Sequence, residues 1–216
     1  MDFSNAPADL LVNIVAGILG AVIILIVLEK RKSPYLRLNV GETHSVPDFT
    51  LLRVSVHNQG IGRLLSKIYD RDPALMCYAW INFYYDTDKA EPVRPGQELV
   101  GRWSFTPVPV REVSDGKRIY DGYLTRDSFD IAPGTSTLLD IVCKFNHEND
   151  CFGWNNESYT YPEWRNTNWQ LNRDRYIVRV KIMTGGKETK QLFRLINELY
   201  PGLEKFDDEK LLKKLQ

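Results

Sequence analysis

The sequence has no excess of charge of either sign. Its 216 residues include 28 Lys and Arg and 28 Asp and Glu, so the formal net charge at pH 7 is zero. The balance also holds beyond residue 32, because residues 1–32 contain three acids and three bases. Nucleic-acid-binding domains collect phosphates with a surplus of basic residues. The neutral composition therefore argues against DNA or RNA as a partner.

Cysteine is scarce as well. The chain contains only Cys77, Cys143 and Cys151, an odd number and too few for a disulfide scaffold. A disulfide between Cys143 and Cys151 can close in an oxidising compartment, across the seven residues that separate them. Reduced, partly buried thiols are typical of a cytoplasmic domain, and this is the interpretation that we favour.

Motifs that carry catalysis or hold cofactors are missing. His44, His57 and His147 are isolated from one another and lack the spacing of metal ligands. The glycine-containing stretches at residues 60–62 and 185–187 lack the length and spacing of nucleotide-binding loops. We therefore predict no enzymatic activity, no metal and no cofactor.

One long apolar run is present, at residues 10–28. It reads LLVNIVAGILGAVIILIVL, with Asn13 as its clearly polar side chain. As a helix with a rise of ~1.5 Å per residue it spans about 28 Å, close to the hydrocarbon thickness of a bilayer. The run is long for a signal peptide, no base precedes it, and charged residues follow where a cleavage site would lie. It therefore predicts one transmembrane helix, with the lipid bilayer as a partner.

The flanks of this run predict its orientation. Asp2 and Asp9 precede it, whereas Lys30, Arg31 and Lys32 follow it after Glu29. Positive residues resist translocation and stay on the cytoplasmic side of a membrane. We expect the N-terminus outside the cell membrane and the C-terminal domain in the cytoplasm.

Small residues follow one another along this apolar run. Ala16, Gly17, Gly20 and Ala21 form small-xxx-small spacings, which allow two helix backbones to approach closely in lipid. They are candidate residues for helix packing in a homo-oligomer, although such spacings also arise by chance in apolar helices.

Beyond a basic linker at residues 29–34, the pattern changes to short strand-like runs separated by turn residues. The predicted strands cover residues 35–40, 49–57, 75–85, 103–105, 136–145, 175–184 and 187–197. The pair Gly185-Gly186 between two alternating runs predicts a tight hairpin. These runs define a β-domain at residues 35–200, behind the span and a short tail at residues 1–9.

The end of this domain is ambiguous. Leu192, Leu195, Ile196 and Leu199 also lie at helical spacing, so a helix over residues 188–200 remains an alternative to a strand. From residue 205 onwards, acids come first and lysines last, an order that complements the dipole of a short helix. We therefore expect a C-terminal helical tail at residues 201–216.

About seven short strands without strand–helix alternation predict a mainly β fold, an antiparallel β-sandwich. Three stretches resemble prokaryotic immunoglobulin-like domains of the cell-adhesion-related type: residues 51–63 (LLRVSVHNQGIGR), residues 131–141 (IAPGTSTLLDI) and residues 176–182 (YIVRVKI). The chain departs from antibody domains, because Cys77 and Cys143 are not arranged around a Trp in their manner. The resemblance implies a binding or scaffolding module and carries no catalytic residues over.

One aromatic-rich segment, residues 146–172, interrupts the strand pattern. Aromatic rings fill cores and also anchor protein interfaces. We favour a segment that caps one open end of the sandwich with its rings, and contact with a protein partner or a glycan is the alternative. The candidate partner-binding residues are Trp154, Tyr159, Tyr161, Trp164 and Trp169.

Together these features predict a single-pass membrane-anchored, non-enzymatic protein-interaction module. It would present its β-sandwich at the cytoplasmic membrane face to an unidentified protein partner. Two alternatives stay open: an extracytoplasmic surface or adhesion protein, and a membrane-active effector that acts through its transmembrane helix.

Overall fold

The computed structural model describes residues 6–61, 71–112 and 118–215. Within them the chain forms one N-terminal apolar helix, two antiparallel β-sheets that share a core, and a short C-terminal helix. The predicted mainly β fold with two flanking helices is therefore confirmed.

Helix α1 covers Ala6–Lys32, and its apolar part is left uncovered by the rest of the protein. By length and composition it is long and apolar enough to cross a membrane. The helix continues through most of the predicted linker at residues 29–34, and it ends where Ser33 Oγ donates to the Lys30 carbonyl (2.8 Å). Pro34 then favours extended backbone before the first strand.

The strands follow in chain order and are mostly short. They are β1 (Leu36–Val40), β2 (His44–Ser45), β3 (Phe49–Asn58), β4 (Ala74–Tyr85), β5 (Leu99–Val100), β6 (Arg102–Trp103), β7 (Val110–Glu112), β8 (Arg118–Tyr120), β9 (Ser128–Ile131), β10 (Ser136–Phe145), β11 (Cys151–Gly153), β12 (Gln170–Leu171), β13 (Arg175–Thr184), β14 (Lys187–Ile196) and β15 (Gly202–Phe206). Short 3-10 turns at Gly122–Leu124, Asn156–Thr160, Pro162–Trp164 and Thr167–Trp169 connect them, and helix α2 covers Glu209–Lys214.

The two sheets are antiparallel throughout. The first has the order β1-β3-β10-β11-β12, with β2 beside β3 and β6 beside β10. The second has the order β15-β14-β13-β4-β5, with β9 beside β4, and β7 and β8 form a separate hairpin. A register shift between Asp140 and Val142 bends β10 where it crosses the first sheet.

Period-2 alternation sets the core between the sheets. In β3, Leu52, Val54 and Val56 point inward and are buried, while the residues between them point to the other face of the first sheet. They meet the inward side chains of the second sheet, including Phe83 and Phe193. Each large apolar side chain removed from water contributes roughly 1.5–3 kcal/mol, which makes this layer the main source of stability.

The last part of the domain is a strand. β14 pairs with β13 over its full length, from Lys187 opposite Thr184 to Ile196 opposite Arg175. The helix considered over residues 188–200 therefore does not form. Leu192 faces helix α2 while Phe193 and Leu195 face the core, and burial of both faces produces the helix-like spacing.

The C-terminal segment is only partly helical. Gly202–Phe206 forms β15 and pairs with β14, so the helix predicted from residue 205 begins later, at Glu209. Asp208 starts it, because its carboxylate accepts from the Leu211 amide. The apolar side of α2 packs on the outer face of the second sheet, against Tyr84, Ala90, Ile177 and Leu192.

The sandwich has two distinct ends. At the helix-proximal end, α1 leads into β1, whose Leu36 pairs with Asn58, and the Asp72 amide donates to the Lys32 carbonyl (2.7 Å). At the opposite end, which we call the distal end, β10 finishes beside the start of β3, where Phe145 pairs with Phe49.

Candidate functional site

The aromatic segment lies on the outer face of the first sheet. Trp154 contacts Tyr159 (ring centroids 5.2 Å apart), and Tyr159 contacts Trp164 (5.5 Å), which also meets Phe49 (6.4 Å). These four residues form the aromatic cap, and they cover Leu51, Cys143, Phe145 and Phe152 beneath them. The segment therefore covers a face of the sandwich, whereas we expected it to close an open end.

The five candidate partner-binding residues separate into two groups. Trp154 is buried in the cap, and Trp169 is buried in the main core, with its ring 6.0 Å from that of Phe83. Tyr159, Tyr161 and Trp164 are half-buried. Among the five candidates, these last three are therefore the ones with side-chain surface left for a partner.

Local hydrogen bonds fix the cap. Asn155 and Ser158 cap the turn at Asn156–Thr160 reciprocally, through the Asn155 side chain and the Ser158 hydroxyl. Arg165 Nε donates to Glu148 Oε1 (2.7 Å), and its guanidinium lies 4.2 Å above the Phe145 ring. Trp164 adopts a left-handed backbone (φ 65°), which is uncommon for a bulky residue and is held by this surrounding structure.

A buried ionic network lies beside the cap. Asp140 accepts from Arg53 Nε (2.9 Å), Arg102 Nη1 (3.3 Å) and Ser104 Oγ (2.5 Å). The Arg102 guanidinium also lies 5.4 Å from the Tyr159 ring, and burial raises the pKa of the Tyr159 hydroxyl. Removal of one partner would leave a buried charge unpaired, so the role of this network is structural. The contact of Arg102 with Tyr159 links the network to the cap.

A cleft of about 1040 Å³ opens at the distal end. Four segments of the chain meet there, at residues 43–50, 144–149, 172–174 and 197–201, and we call their opening the distal cleft. Most of its side chains are polar. They include Thr43, Ser45, Thr50, Asn146, His147, Glu148, Asn149, Asn172, Asp174 and Glu198.

One buried cation lies in the wall of the distal cleft. Lys144 is 6% exposed, and its Nζ donates to Asn197 Oδ1 (2.8 Å), to the Glu198 carbonyl (2.8 Å) and to the Asn149 carbonyl (3.4 Å). Three oxygens thus satisfy its three donors, and no carboxylate of residues 6–61, 71–112 or 118–215 forms an ion pair with it. Cys151 Sγ also donates to Asn197 Oδ1 (2.9 Å).

The rim of the cleft is apolar and prominent. Leu199 is 82% exposed and Tyr200 is 86% exposed, in the loop between β14 and β15. A smaller groove of about 470 Å³ adjoins the cleft and shares Phe145 and His147 with it. Trp164 lines this groove, so one predicted partner-binding residue does reach the distal end.

Sequence reasoning missed Tyr200 and the cleft itself. The signal for an exposed loop was the Pro201-Gly202 pair, which is typical of a turn and lies where β15 begins. The helix considered over residues 188–200 included Leu199, whereas Leu199 lies in the loop beyond β14.

The cysteines are free and buried. In the pairing of β10 with β11, Cys143 is opposite Phe152 and Lys144 is opposite Cys151, so the two thiols point to opposite faces of the sheet. This placement excludes the disulfide that we considered between them. Burial raises the pKa of Cys151 to about 12 and that of Cys77 to about 11.

The small residues of α1 remain uncovered. A Cβ placed on Gly17 or Gly20 would meet nothing within 4 Å, and Ala16 and Ala21 are exposed beside them. The described part of this chain thus leaves the small-residue face free for another helix.

Within the described ranges, no group of three or more His, Cys, Asp or Glu side chains is placed to hold a metal ion. Comparison with known proteins finds no family model, no curated protein and no solved structure that matches the chain. The assignment of function therefore depends on the geometry of α1 and of the distal end.

Proposed function

We propose that this chain is a single-pass membrane-anchored, non-enzymatic interaction module. In this proposal α1 crosses the cell membrane, and the sandwich presents its distal end to a protein partner. The observation that carries the proposal is the apolar surface of α1, on which no other described part of the protein packs.

The chemistry of α1 supports a bilayer as its environment. Large apolar side chains such as Ile18, Ile23 and Leu25 are more than half exposed along it. Each one removed from water contributes roughly 1.5–3 kcal/mol, so a covering hydrocarbon phase is strongly favoured. Twenty-seven helical residues extend for about 40 Å, more than the ~30 Å hydrocarbon core requires.

The position of the distal cleft supports a partner in solution. The cleft opens at the end of the sandwich opposite to α1. Leu199 and Tyr200 line it, and Trp164 lines the adjoining groove. Tyr and Trp are enriched among the residues that dominate binding energy in interfaces, because they bury large areas at low entropic cost. Tethering to a membrane raises the effective concentration of whatever binds there.

The sandwich itself we assign to the immunoglobulin-like type. The strand order supports this assignment: β1, β3 and β10 lie side by side in one sheet, and β14, β13 and β4 in the other. This is the A-B-E and G-F-C arrangement of immunoglobulin-like domains when strands are taken in chain order.

One crosslinking experiment tests both halves of the proposal. A photo-reactive amino acid replaces Tyr200 at the distal end in the full-length chain, and Lys187 at the helix-proximal end in a matched variant. Cells are irradiated, and their membranes are washed with alkaline carbonate. We expect the chain to remain in the membrane pellet and residue 200 to give a discrete protein adduct that residue 187 does not give.

Extraction of the chain by carbonate would overturn the anchor. The absence of an adduct from residue 200, or the same adduct from both positions, would overturn the distal end as the binding surface.

A further inference from the structure

The helix-proximal end of the sandwich combines positive charge with exposed apolar side chains. Residues 29–37 and 71–76 together contain five bases and two acids, and the neighbouring residues 126–130 add one base and two acids, so the bases remain in excess. We call the following set the basic collar: Lys30, Arg31, Lys32, Arg37 and Arg71. None of these five bases lies inside the predicted apolar span.

Tyr35 lies at the centre of this collar. Its ring is about half exposed, with the Arg37 guanidinium 5.5 Å and the Arg71 guanidinium 5.2 Å from its centroid. The Tyr35 amide donates to Asn58 Oδ1 (3.3 Å), and its carbonyl accepts from the Gln59 amide (2.9 Å). The backbone at this point is therefore part of the sandwich, and the ring is held next to the end of α1.

Leu75 and Met76 are turned outward by a backbone irregularity. The register between β4 and β9 shifts between Ala74 and Cys77, so two consecutive side chains point to solvent, 54% and 58% exposed. Met76 has a left-handed backbone (φ 48°), and its amide donates to Asp130 Oδ1 (2.7 Å). The Leu75 carbonyl accepts from Thr184 Oγ1 (2.7 Å), so both residues are fixed in this outward position.

The path of the chain places these residues close to the membrane surface. From Glu29 to Lys32, α1 extends about 6 Å beyond the apolar run, and the headgroup layer is itself about 5–8 Å thick. The Lys32 carbonyl is 2.7 Å from the Asp72 amide. Leu75 and Met76 follow three and four residues later, within about 14 Å along the chain.

We propose that this end of the sandwich binds the headgroups of anionic phospholipids. The basic collar attracts the phosphates, Tyr35 occupies the interface between water and lipid, and Leu75 and Met76 insert at the acyl boundary. Charge complementarity and continuity with α1 select a lipid surface as the occupant. The inference rests on the proposed function, because it requires α1 to lie in the bilayer.

Fluorescence quenching by lipid tests the proposal. The full-length Met76→Cys chain, labelled with a fluorophore, is reconstituted into vesicles that contain spin-labelled lipid. One vesicle preparation is pure phosphatidylcholine, and the other also contains phosphatidylserine. The native thiols are buried and stay unlabelled. We expect about twofold stronger quenching with phosphatidylserine, because the anionic surface attracts the collar.

Two sets of controls define the result. A fluorophore at residue 200 should be unquenched in both vesicles. The double variant Arg31→Gln, Arg37→Gln should lose the effect of phosphatidylserine, whereas Arg175→Gln, Lys205→Gln, with the same loss of charge at exposed positions elsewhere, should keep it.

The outcomes distinguish failure of headgroup binding from failure of α1 as a membrane anchor. Retention of the chain in the vesicles with no quenching at residue 76, or with quenching that does not depend on phosphatidylserine, overturns headgroup binding and leaves the anchor intact. Failure of the chain to remain with either vesicle overturns both.

Discussion

Asn197 joins the two sheets through one side chain. Its carbonyl oxygen accepts from Lys144 and from Cys151 of the first sheet, and its amide donates to the carbonyls of Leu171 and Arg173. A buried amide that uses both ends in this way fixes the geometry around it, because each unmet partner would remain desolvated. The wall of the distal cleft is therefore a rigid surface.

The three thiols provide a prediction at the scale of single residues. Burial raises the pKa of Cys77 to about 11 and that of Cys151 to about 12, and it raises the pKa of Cys143 still further above the usual range. The thiolate is the reactive form. We expect the folded chain in mild detergent to show no reaction with Ellman's reagent at about pH 8, near the usual thiol pKa, and the denatured, unreduced chain to show three thiols.

The same thiols make stability depend on pH. Their folded pKa values lie above the unfolded value of about 8.5, so unfolding releases protons in alkaline solution. The contribution of these thiols to the free energy of unfolding is complete below about pH 8.5 and is lost as the pH rises towards the folded values.

Met76→Cys is the matched control for the reaction with Ellman's reagent, because this exposed thiol should react at once. A single thiol in the denatured chain would contradict the placement of Cys143 and Cys151 on opposite faces.

Residue identity alone could not distinguish the buried Trp154 and Trp169 from the half-buried Trp164. All three lie in the same aromatic segment, and composition correctly indicated that this segment contributes to packing. Their environments depend on which sheet face the chain crosses. Only the fold determines that Trp169 enters the main core while Trp164 reaches the groove beside the distal cleft.

At the scale of elements, the β13–β14 hairpin was predictable and β15 was not. Gly185 and Gly186 adopt φ angles of 51° and 77°, as the tight turn predicted between two alternating runs requires. β15 contains five residues, and it becomes a strand because it pairs with β14, a contact that local pattern does not encode. The short strands β5 and β12 were missed for the same reason, and the strand predicted at residues 103–105 overlaps β6 at Trp103 alone.

The Gly185-Gly186 turn between β13 and β14 supports a prediction about stability. Gly185→Ala should lower the free energy of unfolding by about 1 kcal/mol, because a Cβ is unfavourable in the left-handed region. Gly202→Ala is the matched control. Its backbone is outside that region, a Cβ there meets nothing within 4 Å, and its effect should stay within about 0.5 kcal/mol. Denaturant unfolding followed by tryptophan fluorescence measures both, and equal effects would contradict this account of the turn.

At the scale of the whole molecule, the fold class followed from the sequence but the distal cleft did not. Hydrophobic length predicted α1, and period-2 runs predicted the sheets. The cleft is built by four segments, from residues 43–50 to residues 197–201, that are far apart in the chain. No local pattern could bring them together, because their proximity depends on the order of strands in both sheets.

The orientation of the molecule is testable through its C-terminus. The bases after the apolar run predict that the sandwich is cytoplasmic. A reporter that is active only in the cytoplasm, fused after Gln216, should therefore be active. A second reporter that requires export should be silent at the same position, and the reverse pattern would place the sandwich outside.

The short connection between α1 and β1 has a consequence for what can be captured. Three residues separate Lys32 from Leu36, and hydrogen bonds on both sides of them leave little freedom to swing. With α1 in lipid, as proposed, ten-residue strands such as β3 would hold the cleft up to about 34 Å above the bilayer surface. The molecule would then work as a spacer of fixed height, which reaches soluble or tall partners and passes over proteins that lie flat on the membrane.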